Sequence, residues 1–265
     1  MVRKEVMKNK SGQVTIFIIV GIIIVALSIL IYTFYPKIQS SLGVQESTPA
    51  SYIQSCVEDK MKETVDLISI QGGSFSPELY ALYQDDKIEY LCYTKEYYFS
   101  CIVQQPMLKE HIESEIKDEI SSIVDNCFNS LQESYVGKGY SVELRQGIKQ
   151  VELLPNKIVA TFNNSFTITK GDDVQNYNSF NVILNNNLYE LIGIANSIIE
   201  WETNLGEANT EMYMAYYPWL KVEKLLRSSG NKIYTLNDRD TGDKFRFAVL
   251  SQVWPAGVYL NTTVI

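Results

Sequence analysis

Histidine is almost missing from this sequence: among 265 residues the only one is His111. A hydrolytic zinc site built from several imidazoles is therefore excluded by count. No two cysteines stand in a C-x-x-C pair, which removes the usual zinc-ribbon and dithiol redox spacings. The sequence also lacks a P-loop, a G-x-G-x-x-G and a G-x-S-x-G, so a phosphate cradle, a dinucleotide turn and a nucleophile elbow have no starting point. Positive charge is scarce, with 23 Lys and Arg against 31 Asp and Glu and a net charge of −8. No basic stripe interleaved with aromatics offsets that balance, and nucleic acid is not an expected partner. Internal repeats and low-complexity blocks are absent too. A hydrophobic content of 46% with 20% charged residues is that of a folded chain rather than a disordered one.

What the sequence does have is one long stretch without charge. Val14 through Tyr35 is 22 residues, 15 of them Ile, Val, Leu or Phe. At ~1.5 Å per residue a helix of that length reaches roughly 33 Å, slightly more than the ~30 Å hydrocarbon layer of a bilayer. A transmembrane helix over residues 13–35 is expected, and the hydroxyls of Thr15, Ser28 and Thr33 can return to the helix backbone. Arg3, Lys4, Lys8 and Lys10 precede it against the single acid Glu5, so the basic leader, residues 1–12, stays in the cytoplasm and the rest of the chain lies outside. The segment is too long for an ordinary secretory signal, and it lacks a small-residue cleavage site of the A-x-A kind.

At Lys10-Ser11-Gly12-Gln13 the sequence resembles the class III signal of archaeal type IV pilin-like proteins. The resemblance covers the basic leader and the apolar helix. In that family a membrane-embedded peptidase cuts between Gly and Gln, so cleavage is implied between Gly12 and Gln13, leaving the helix as anchor and filament core. Thr15 stands where members carry Ser, and Phe17 where they carry Glu. The alternative is an uncleaved single-span anchor. In either case Gly21 and Ala26 would let neighbouring helices approach closely.

Residues 36–50 read as a linker, and residues 51–265 as an extracytoplasmic domain with a sub-boundary near 139. Four of the basic residues and one acid precede residue 36, so 19 basic and 30 acidic residues remain and the outer part carries about −11. Its four cysteines suit an oxidising exterior. Three pairings are possible. Cys92 and Cys101 flank a hairpin whose loop at 95–98 would set them opposite one another, which leaves Cys56 with Cys127, each on the apolar face of a helix. Closing the long loop between Cys56 and Cys127 would contribute about 3 to 4 kcal/mol.

Periodicity predicts the elements. Thr48-Pro49 caps a helix whose Ile53, Val57, Met61, Val65 and Ile68 share one side and which stops at Gly72-Gly73. Strands are expected at 88–92 and 99–103. After Pro106 the spacing of Leu108, Ile112, Ile116, Ile120, Ile123, Cys127, Leu131 and Tyr135 marks the longest helix outside the membrane, ended by Gly137 and Gly139. Alternation then gives strands at 140–144, 150–154, 158–164, 166–170 and 180–184, with turns at Pro155-Asn156 and Gly171-Asp172. A helical stripe returns at Leu188, Leu191, Ile192, Ala195, Ile198 and Ile199, a further helix is expected over 210–227, and strands at 232–236 and 245–253 close the chain. The fold class is α+β with an antiparallel sheet.

Candidate chemistry is thin. His111 lies beside Glu110 and Glu113, with Ser114 on the same helix, and reads as a solvent-facing helix histidine. Asp238, Asp240 and Asp243 around Gly242 have the carboxylate density of a calcium loop without the spacing of an EF-hand, so a solvated hairpin turn is expected. Glu200 with Glu202, and Asp172 with Asp173, are acid pairs that point apart on any regular element. Tyr213, Tyr216, Tyr217 and Trp219 crowd one segment and suit either recognition of a protein or sugar, or a core. Asn163 and Asn261 are sequons in the outer part; Asn9 matches too, on the cytoplasmic side. The expected function is therefore a membrane-anchored structural or interaction protein, with the bilayer and pilin-like partners or its own copies on residues 13–35. No cofactor, metal site or catalytic residue is assigned. The alternatives are a surface module binding a glycan or peptide and, behind it, a hydrolase.

Overall fold

The computed structural model describes residues 19, 21, 23–25 and 48–253. The chain divides into two compact units, Met1–Thr48 and Pro49–Ile265. In the first, residues 19, 21 and 23–25 are helical, and Ile19, Ile23, Ile24 and Val25 are exposed. The rest of the span expected at 13–35 lies outside the described residues, as do the leader, Gly12, Gln13 and most of the linker. Among the described residues no helix is long and apolar enough to cross a membrane.

The second unit is mixed α and β. In chain order it contains α1 (Pro49–Ile70), β1 (Tyr80–Tyr83), β2 (Asp86–Tyr93), β3 (Ile102–Val103), α2 (Leu108–Gly137) and β4 (Ser141–Arg145). Then follow β5 (Lys149–Leu154), β6 (Lys157–Phe162), β7 (Ser165–Lys170), β8 (Asp173–Tyr177), β9 (Phe180–Asn185) and α3 (Leu188–Leu205). Last come α4 (Thr210–Tyr216), β10 (Leu220–Leu226), β11 (Asn231–Asp238) and β12 (Lys244–Leu250).

Among these residues the strands form three sheets. The largest runs β1-β2-β12-β11-β10 with β3 also on β2, and two three-stranded sheets run β4-β7-β8 and β5-β6-β9. Every pairing is antiparallel except that of β2 with β12, which joins strands separated by most of the unit.

The helices cover these sheets with the faces their spacing predicts. In α1 the buried residues include Ile53, Val57, Met61, Val65 and Ile68. In α2 they include Leu108, Ile112, Ile116, Ile120, Cys127 and Leu131, while Ile123 and Tyr135 sit at the margin and Val124 and Phe128 point inward. At 3.6 residues per turn a 30-residue stripe drifts around the helix, so the inward position moves by one along its length. Phe128 meets Phe180 edge-on at 4.9 Å and Phe162 at 6.4 Å, joining α2 to the β5-β6-β9 sheet.

Cys56 is bonded to Cys127, tying α1 to α2, and Cys92 to Cys101, and no cysteine is free. The second bridge is not between facing residues, as the hairpin reading had it. Cys92 lies opposite Val103, and Cys101 precedes the two-residue β3.

The helix expected over 210–227 is two elements. Asn209 caps α4 by accepting from the amides of Glu211 and Met212, and Tyr217 leaves it in an extended conformation (φ −113°). Pro218 causes the break: it cannot donate to the helix, and its ring pushes the preceding residue out of the α region. Beyond it Leu220 and Val222 alternate inward as β10 and pair with β11. Strands β1 and β8 were not expected. The β1–β2 turn is Gln84-Asp85, both with positive φ (53° and 71°), the backbone of a tight hairpin without its usual Asn-Gly. Strand β8 is exposed along almost all its length and carries no alternation to read.

Candidate functional site

The lone histidine is not on open surface. After α1 the chain turns at Gly72 (φ +90°) and Gly73 (φ +105°) and passes between β2 and α2. A Cβ at Gly72 would lie 2.8 Å from Glu89 Cβ, and one at Gly73 would lie 2.9 Å from Ile112 Cγ1. Only glycine fits both the left-handed backbone and the space. This delivers Ser74 between the side chains of Glu89 and His111. Ser74 Oγ donates to Glu89 Oε2 and lies 2.7 Å from Nε2 of the half-buried His111. Gln105 Nε2 donates to Glu89 Oε1 at 3.3 Å, and one residue on, Phe75 N donates to Glu115 Oε2 at 2.8 Å.

The order of this cluster decides its chemistry. In a hydrolytic triad the imidazole stands between serine and acid and removes the serine proton. Here the serine stands between the other two. With its single proton on the bond to Glu89, the contact with His111 is closed by the tautomer that carries hydrogen on Nε2. Ser74 is 6% exposed and Glu89 8%. Burial raises the Glu89 carboxyl above its usual range, and the hydrogen bonds from Ser74 and Gln105 oppose that. The arrangement binds three elements, the α1 exit, β2 and α2, through one chain of hydrogen bonds.

A second buried group lies at the far end of α3. Glu202, fully buried, receives Lys232 Nζ on both oxygens (3.0 and 2.7 Å) and the Tyr234 hydroxyl. Lys232 also donates to the Gly206 carbonyl and lies 2.9 Å from Glu207 Oε2. Burial raises the Glu202 carboxyl, against the pull of Lys232, and it raises the Tyr234 hydroxyl as well. With Glu202 and Lys232 both buried and their hydrogen bonds matched, this is an ion pair internal to the fold.

Two of the three carboxylates of the aspartate turn, those of Asp238 and Asp243, are committed to the protein's own donors, and Asp240 is exposed. Asp238 Oδ1 accepts from the amides of Asp240 (2.8 Å) and Thr241 (3.1 Å), and Oδ2 from Asn187 Nδ2. Asp243 accepts from Asn186 Nδ2 (2.9 Å), from the Asn187 amide (2.8 Å) and from Thr241 Oγ1 (2.8 Å). The turn thereby satisfies the start of α3, where Asn187 makes no side-chain cap of its own. Among the described residues no group of three His, Cys, Asp or Glu is arranged to hold a metal ion. Beside the turn is an open cleft of about 430 Å³, lined by Asp66, Ser69, Asn186, Asp243 and Lys244 among others.

The remaining sequence candidates are dispersed. Glu200 is exposed while Glu202 is buried, and Asp172 and Asp173 are exposed beside the β7–β8 turn. Tyr213 is in the core with its hydroxyl 2.8 Å from Ser197 Oγ, Tyr217 and Trp219 pack on the core 5.8 Å apart, and Tyr216 alone is open, at 77% exposure. Asn163 is exposed at the end of β6, its amide donating to the Ile148 carbonyl at 3.0 Å. Asn261 lies outside the described residues. The exposed aromatics instead crowd the Cys92–Cys101 loop, where Tyr97, Tyr98 and Phe99 are each more than half exposed.

Ser74, Glu89 and Lys232 have no place among the sequence candidates, and Glu202, expected with Glu200 as solvated charge, is buried. A usable signal existed for Glu202, which falls three residues after Ile199 on the apolar stripe of α3, and for the Gly-Gly pair ahead of Ser74. Compared with protein-family models, curated proteins and solved structures, the chain matches none.

Proposed function

We propose that this chain is a single-pass membrane-anchored protein whose second unit faces the cell exterior, where it serves as a structural or interaction subunit with a pilin-like N-terminus. The observation that carries the reading is the uncharged apolar run of residues 14–35 behind a basic leader, followed by a unit in which all four cysteines are paired. Such cystines persist in an oxidising compartment, and the run supplies the means of holding the unit there. The exposed apolar side chains at Ile19 and residues 23–25 suit lipid or neighbouring helices. The same run would serve as the assembly seam with like subunits. Exposed Asn163 is available for glycosylation.

Two measurements test this. Protease added to intact cells should digest the unit from Pro49 onward and leave a membrane-protected N-terminal fragment; a unit that survives, or that fractionates with the cytosol, sinks the proposal. Mass spectrometry of the native N-terminus should find a chain beginning at Gln13, whereas a chain beginning at Met1 removes the pilin-type processing and leaves the anchor.

A further inference from the structure

The loop closed by Cys92–Cys101 departs from what solvent exposure favours. Tyr97 is 61% exposed, Tyr98 75%, Phe99 61%, Ile102 71% and Met107 63%, an apolar tip made by the loop, the short edge strand β3 and the start of α2. The charges that flank it in sequence, Lys95 with Glu96 and Lys109 with Glu110, cancel in pairs, on a unit that otherwise carries about −11. The tip is also rigid. The disulfide closes it, Tyr98 N donates to the Gln252 carbonyl at 2.7 Å, and Gln252 N donates to the Phe99 carbonyl at 3.3 Å. Tyr98 itself holds φ +69°, a left-handed backbone that costs a bulky aromatic and that Gly or Asn would adopt freely.

We infer that this loop is a lipid-interface contact, with Tyr97, Tyr98, Phe99, Ile102 and Met107 entering the headgroup layer of a bilayer. Tyrosine and phenylalanine settle at that depth because each joins an apolar body to a polar or polarisable edge. A second copy of the chain fits less well. It would bring the same −11, the apolar tip is far smaller than the roughly 20–30 residues a side of a stable protein interface, and β3 is blunted by Gln104, whose Nε2 donates to the Ile102 carbonyl at 2.8 Å. The inference rests on the anchored reading for its lipid. The sequence from Pro36 to Thr48 extends at most about 45 Å, which keeps the unit near the bilayer at high effective concentration.

The test uses the full chain in nanodiscs of zwitterionic lipid, one chain per disc, with hydroxyl-radical footprinting read residue by residue. Tyr216 provides an internal comparison of matching exposure and side chain. Tyr97 and Tyr98 should oxidise at least about fivefold more slowly than Tyr216, and Phe99→Asp should return Tyr97 and Tyr98 to the Tyr216 rate, as a charge at interfacial depth is expelled. Rates equal to that of Tyr216 in the unaltered chain overturn the inference. So does protection that appears only when several chains share a disc, which would make the partner a second copy. Carbonate extraction of the same samples reads the anchor separately, and rates taken on disc-bound chains report on the loop whichever way that result falls.

Discussion

Glu89 and Glu202 are both carboxyls raised by burial, and the sign of their effect on stability follows from that. A folded-state value above the unfolded one means the folded protein holds the proton more tightly. The contribution is then present at low pH and is lost as pH climbs from the ordinary carboxylate range through the raised value. Thermal midpoints of Glu89→Gln relative to the parent should therefore move in favour of the variant as pH rises from about 4.5 toward 7. A constant difference would show that Glu89 does not titrate there. At the other buried acid, Lys232→Met leaves a carboxylate unpaired in the interior and should cost about 3 to 5 kcal/mol in denaturant unfolding. Adding Glu202→Leu should recover much of that loss, because the double variant no longer strands a charge. Spacing alone marks Glu202 on the apolar stripe of α3 but not the partners of either acid. His111 reads as a surface residue on the helical wheel because what buries it, the Gly72-Gly73 turn carrying Ser74, comes from 37 residues upstream.

At the scale of elements, the two disulfides should not weigh equally. Their sequence separations are 71 and 9 residues. Replacing Cys56 and Cys127 with Ala should cost about 4 kcal/mol, and replacing Cys92 and Cys101 about 2 kcal/mol less, if closure of the unfolded chain dominates. Equal losses in urea titrations would place the effect in the folded state instead. Phe128→Ala, which removes the ring shared by α2 and two strands, should cost about 3 to 5 kcal/mol by the same measurement. The stripes of α1, α2 and α3 could be read from the sequence because each helix buries one face, and a period of 3.6 survives any change of partner. Residues 220–226 could not. Leu-x-Val followed by Glu-Lys-Leu-Leu suits a helix as well as an edge strand, and only Pro218 and the facing strand β11 decide between them.

The whole molecule is organised by long-range pairing. The large sheet is completed by β12, which lies between β2 and β11 and runs parallel to β2. Sequence alternation predicts the strands but carries no record of which of them meet, so this crossing, like the split of the smaller strands into two sheets, was not readable in advance. It has a consequence for biogenesis. A chain emerging in order from the ribosome presents α1, α2 and the two small sheets while a slot remains open beside β2 for β12 still to come. Folding of the large sheet must wait for residue 250, since sheets joined by such distant segments form late. A chain truncated at residue 243 should accordingly emerge with the edge of β2 bare and be cleared by quality-control proteases. The emergence of β12 thus acts as the checkpoint for closing the large sheet.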